Sequence, residues 1–126
     1  VCRGCKRCSH EVIAWNSYSQ DERRVVLQRI DVLLEQIVAR WLPIHNPEQL
    51  RQQLQRQQLV FDSHRAPASW VVELLKAGAS QIDDVTNYGL AVTEQGQGKS
   101  LRQLRDTIEA EFYELSCAHY ERYFKR

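Results

Sequence analysis

Two long segments of the chain place apolar residues at the spacing expected of an amphipathic helix. In the first segment, Val26, Ile30 and Leu33 follow one another at steps of four and three residues, and Ile37 and Trp41 continue the stripe. The stripe of the second segment consists of Leu101, Leu104, Ile108, Phe112 and Leu115. Each segment therefore predicts a long helix with one buried face.

Capping residues indicate where these two helices begin. Ser19 followed by Glu22, and Ser100 followed by Gln103, are capping boxes, in which each side chain bonds the other residue's backbone amide. The first helix is predicted to end before Pro43, because proline disfavours a helical conformation in the residue that precedes it.

Shorter helices are predicted on either side of the first long helix. Ser9 is expected to cap a short helix that ends near Ser17. Asn46 followed by Pro47 is typical of a helix start, because the missing amide of proline needs no partner in the first turn. The segment 60–65 is predicted to be a connector.

A second group of short elements is predicted before the last helix. Pro67 can begin a helix for which Gly78 suits the C-terminal cap. Ser80 with Asp83 is expected to cap one more short helix, and residues 90–92 could form a stub of strand. The pattern as a whole predicts an all-α fold, a single bundle-like domain of about five helices.

The predicted organisation has two parts that form one structural unit. Residues 1–18 would be a cysteine-rich knuckle and a short helix, and residues 19–126 the helical domain. A chain of 126 residues can bury a core of its own at this size. It begins without an initiator Met, so we expect it to be cut from a longer protein.

The charge and composition of the chain argue against some classes of partner. The net charge of +1 gives no electrostatic case for nucleic acid or for a membrane surface. No apolar run approaches about 20 residues, so no membrane span is expected. Four cysteines in a core-rich chain fit a reducing compartment, and we expect a cytoplasmic protein.

The first ten residues concentrate the chemistry of the chain. Cys2 and Cys5 have the spacing at which a tight turn brings two thiols to one soft metal ion. Cys8 and His10 follow closely and could complete the set, so the candidate metal ligands are Cys2, Cys5, Cys8 and His10. Zinc and an iron–sulfur cluster both bind thiolates, and the spacing does not distinguish them.

Three other interpretations of these residues stay open. The segment could be a metal-free tail of reduced thiols, or two of the cysteines could form a disulfide. A distant ligand could also fold back to the knuckle, with Cys117 or His119 on the last helix as candidates. His119 continues the apolar stripe, however, and a histidine in that position is typically a core residue.

The N-terminal third resembles a small bacterial family, the domain-of-unknown-function family 1289, whose members are labelled predicted iron–sulfur proteins. The resemblance rests on the pattern Cys2-x-Gly-Cys5-x-Arg7, Glu11-Val12-Ile13-x-Trp15 and Ser19-x-x-Glu22-Arg23, within about residues 2–40. The family places another cysteine pair upstream, which implies that Cys2 and Cys5 are half of a four-thiolate site. Cys8 is an addition to the family pattern, and residues 45–126 resemble no family that we recognise.

The sequence favours a non-catalytic metal-binding protein that presents a surface to a protein partner. No catalytic constellation is present, since the chain has neither a Ser–His–Asp order nor a nucleophile elbow. The alternative is a metal-free helical interaction module, indicated by the glutamine-rich segment 49–59 and the aromatic C-terminal end. The sequence does not indicate an oligomeric state.

Overall fold

The fold is all-helical in the computed structural model, which describes residues 1–80 and 82–124. Within these residues there are five α-helices and no strand. The helices are α1 Ser9–Ala14, α2 Gln20–Trp41, α3 Pro47–Arg56, α4 Pro67–Gly78 and α5 Leu101–Tyr123. The predicted all-α class with about five helices is therefore confirmed.

The two long helices begin where their capping boxes predicted. The amide of Glu22 donates to Ser19 Oγ at 3.1 Å, and the amide of Gln103 donates to Ser100 Oγ at 3.1 Å. The helix α2 packs against α5 and α4, α4 packs against α5, and α3 packs on α4. Their buried faces form one apolar core, which includes Leu34, Val71, Leu104, Ile108 and Phe112.

The ends of the short helices α1 and α4 differ from prediction at two places. The N-cap of α1 is Cys8 rather than Ser9, because Glu11, three residues after Cys8, accepts from its amide. Gly78 is the last residue of α4, and Ala79 is the C-cap. The helix predicted from Ser80 includes Gln81, which lies outside the described residues.

A single turn of 3-10 helix, Val85–Tyr88, replaces the short helix expected in that region. Its N-cap is Asp84, whose Oδ1 accepts from the Thr86 amide at 3.0 Å. The expected stub of strand is reduced to an isolated antiparallel bridge between Ile44 and Leu90. These short segments pair with the rest of the chain through a few backbone bonds, and local pattern alone did not specify them.

None of the helices described here is long and apolar enough to cross a membrane.

Candidate metal-binding loop

The N-terminal residues form a tight loop, residues 2–7, which we call the cysteine loop. The amide of Lys6 donates to the Cys2 carbonyl at 2.8 Å, and the amide of Cys2 donates to the Arg7 carbonyl at 2.7 Å. Lys6 has φ 64°, a left-handed conformation that a residue with a Cβ adopts at a cost of about 1 kcal/mol. Gly4, in the same loop, has no positive φ.

The loop brings the first two cysteines together. The Cys5 thiol and the backbone amides of Cys5 and Gly4 lie close enough to the Cys2 sulfur to favour its ionised form. These neighbours, with the charge of Arg7, lower the pKa of Cys2 to about 7, against an ordinary value of 9.0. A thiolate held by backbone amides is the form in which cysteine binds a metal.

Arg7 stands beside the second thiol. Its Nε donates to Cys5 Sγ at 3.2 Å, and its guanidinium lies 4.5 Å from the centre of the Trp15 ring. The tryptophan thus holds the cation against the sulfur, and the positive charge of Arg7 contributes to the lowered pKa of Cys2.

Two further contacts fix the loop to α5. The side chain of Lys6 is buried, and its Nζ donates to Glu109 Oε1 at 2.6 Å and to the Arg3 carbonyl at 2.5 Å. The guanidinium of Arg3 lies 4.4 Å from the ring centre of Tyr113. A loop bound in this way has a defined position on the helical domain.

Cys8 occupies a different environment from the first two cysteines. It is 2% exposed, and burial together with the negative charge of Glu11 raises the pKa of its thiol. Arg29 Nη2 approaches its sulfur at 3.9 Å. Cys8 is therefore a buried helix cap in this structure, with an environment that favours the neutral thiol.

Glu11 and Arg29 form a buried ion pair beneath Cys8. Arg29 Nη1 and Nη2 donate to the two carboxylate oxygens of Glu11 at 2.5 and 2.6 Å, and the Cys8 amide donates to Glu11 Oε1 at 2.8 Å. Burial opposes ionisation of Glu11, but these donors outweigh it and lower the pKa of the carboxyl. Arg29 Nε is a buried nitrogen without a hydrogen-bond partner among the described residues.

His10 is exposed and faces the end of α5. Its ring centre lies 5.4 Å from that of Phe124, and Phe124 also contacts His119, at 5.9 Å between ring centres. His119 is half-buried, and burial together with the nearby charge of Arg29 lowers its pKa. The C-terminal end of α5 thus does return to the N-terminal segment, but it meets His10 and Arg29.

The donor set fits half of a thiolate metal site. Among residues 1–80 and 82–124, no group of three or more His, Cys, Asp or Glu side chains is gathered so that it could hold an ion. Structural zinc and iron–sulfur sites commonly take four ligands. Cys2 and Cys5 supply two thiols in one place, whereas Cys8 and His10 are engaged in other contacts.

Sequence reasoning missed the contacts that hold the loop to the helices. Lys6 and Glu109 are 103 residues apart, and Glu11 and Arg29 are 18 apart, so no local spacing indicates either pair. One signal was available for the cap, since Glu11 stands three residues after Cys8 as a capping box requires.

The geometry defines a class of protein, an all-helical domain that carries a two-cysteine loop at its N-terminal end. Residues 1–33 match the model of a family described as a protein of unknown function, DUF1289. This match confirms the resemblance seen in the N-terminal third of the sequence. No curated protein and no solved structure was found to match the chain.

Proposed function

We propose that this protein binds zinc or an iron–sulfur cluster through the thiolates of Cys2 and Cys5, and that its role is structural rather than catalytic. The observation that carries the proposal is the approach of these two cysteines in a closed turn, where the Cys5 thiol and nearby backbone amides lower the pKa of Cys2. Such amides stabilise a thiolate without competing for the metal.

The remaining ligands are part of the proposal. Cys8 and His10 are the nearest further donors along the chain, and the family resemblance implies a second cysteine pair. Recruiting Cys8 would require its burial under Arg29 to be broken, which costs free energy. We therefore expect Cys2 and Cys5 to be the essential ligands, and Cys8 and His10 to be secondary.

The bound metal would brace the loop and the helix that follows it. The exposed side of α1 carries Val12 and Ile13, which are 40% and 85% exposed. Two adjacent exposed apolar side chains offer a protein partner apolar area to bury on contact. We infer that a metal-braced α1 is this surface.

Metal analysis of the protein purified without oxygen tests the proposal. We expect zinc or iron in stoichiometric amount, lost in Cys2→Ser and in Cys5→Ser. The matched control is Cys117→Ser, a half-buried cysteine on α5 that should leave the metal content unchanged. Absence of both metals, or equal content in all the variants, would contradict the proposal.

A cobalt titration then examines the ligand set. If Cys2 and Cys5 act as a pair alone, thiolate-to-cobalt absorption should saturate at one cobalt for two chains, and Cys8→Ala and His10→Ala should behave as wild type. Saturation at one cobalt per chain, lost in either variant, would show that Cys8 or His10 is a ligand. If no absorption develops and chelators leave the melting temperature unchanged, the metal-free interaction module is the better interpretation.

A further inference from the structure

A cleft of about 350 Å³ lies beside the cysteine loop, and Cys5, one of the two proposed metal ligands, is among the residues at its edge. One wall is loop residues 4–7, and the others come from α2, α4 and α5. Its volume is within the range of pockets that hold small molecules, roughly 300–1,000 Å³. Nothing in the proposed metal site requires a cleft at this position.

The floor of the cleft is apolar. Its lining includes Leu27, Ile30, Leu34, Val72 and Phe112, contributed by three helices. A smaller hollow of about 190 Å³ between α4 and α5 shares Val72 and Lys76 with it. An apolar chain lying on the floor would therefore find further room beyond Val72.

Cationic side chains outnumber anionic ones around this floor. The lining contains Lys6, Arg7, Arg65, Lys76 and Glu73. Two of the four cations are already neutralised, in the ion pairs Lys6–Glu109 and Arg65–Asp31. Arg7 donates to Cys5 Sγ and stacks on Trp15, but neither Arg7 nor Lys76 forms an ion pair among the described residues. Two cations without a carboxylate partner therefore face one carboxylate, Glu73.

We propose that this cleft binds a small molecule that carries one anionic group on an apolar body. The anion meets the cationic side chains, and the body lies on the apolar floor with its end beyond Val72. A cation on an apolar body would meet net positive charge at the same place and be repelled. The cleft adjoins the proposed metal site through Cys5, to whose sulfur Arg7 donates, but the charges that the proposal uses belong to Arg7 and Lys76, neither of which is a proposed ligand.

Calorimetric titration with decanoate, on wild-type protein, is the first test. Decanol and decyltrimethylammonium carry the same chain with no charge and with positive charge. We expect decanoate to bind most tightly and the ammonium compound least tightly. Decyl phosphate then distinguishes a carboxylate from a phosphate site by which anion binds better. Equal binding of anion and cation, or no binding of either anion, would overturn the proposal.

Variants place the binding in the cleft. Lys76→Glu should weaken decanoate binding about fivefold, the size expected for an exposed charge pair. Arg102→Glu, at an exposed cation of α5 outside the cleft, is the matched control and should leave the affinity unchanged. Val72→Phe should reduce the affinity for decanoate more than that for hexanoate, since it fills the space beyond the floor. Similar effects of Lys76→Glu and Arg102→Glu would show that the anion binds elsewhere.

Discussion

The buried pair of Glu11 and Arg29 should contribute strongly to the stability of this domain. The side chain of Glu11 is 4% exposed and that of Arg29 is 19% exposed, and three donors converge on the carboxylate. Glu11→Gln preserves the shape and can still accept from the Cys8 amide. It removes the negative charge, however, and leaves a mostly buried cation without a counter-charge.

The magnitude follows from this partial burial. Removing one member of a buried ion pair costs about 3 kcal/mol at the lower end of the usual range, which suits a pair in which Arg29 keeps some exposure. For a domain of this size, that loss corresponds to a fall of about 10 °C in melting temperature.

Thermal unfolding followed by circular dichroism measures the change. Glu114→Gln, at an exposed carboxylate on α5, is the control and should have little effect. Adding Arg29→Met to Glu11→Gln should recover much of the lost stability, because neither charge then remains unpaired. If Glu11→Gln has the same melting temperature as the control variant, the ion pair does not stabilise the fold as argued.

The same pair predicts a pH dependence. The pKa of Glu11 is lower in the folded state than its ordinary value of 4.5, so the pair stabilises fully above that value. Its contribution is lost as the pH falls through the lower folded pKa. The difference in unfolding free energy between wild type and Glu11→Gln should therefore shrink in acid. A difference that stays constant through this range would contradict the assignment.

Two remaining predictions concern the backbone and the thiols. Gly89→Ala should lower the free energy of unfolding by about 3 kcal/mol, because φ is 73° and a Cβ there would overlap the Asn46 carbonyl. A Cβ at Gly4 meets nothing within 4 Å, so Gly4→Ala should leave the stability unchanged. Chemical denaturation of the two variants tests this difference. In metal-free protein, alkylation of Cys2 by iodoacetamide should reach half its limiting rate near pH 7, while buried Cys8 should react only on unfolding. Mass spectrometry of peptides measures the two rates, and equal rates for Cys2 and Cys8 in the folded protein would contradict the assignment.

Local patterns predicted the long helices well. The starts of α2 and α5 were recognisable because Ser19 and Ser100 bond residues only three positions away. The approach of Cys2 and Cys5 was predictable for the same reason, since a turn of a few residues decides it. The helix predicted from Ser80 was less successful, because the backbone pairing around Gly89 joins segments far apart in sequence.

The sequence by itself therefore determined the two long helices, their buried faces and the closeness of the Cys2 and Cys5 thiols in the cysteine loop. Only the tertiary structure decided that Cys8 is a buried cap, that Lys6 anchors the loop on Glu109, and that a cationic cleft opens beside it. The physical reason is range. Capping, periodicity and tight turns depend on interactions between residues that are close in sequence. Burial and ion pairing depend on which distant surfaces the packed helices bring together.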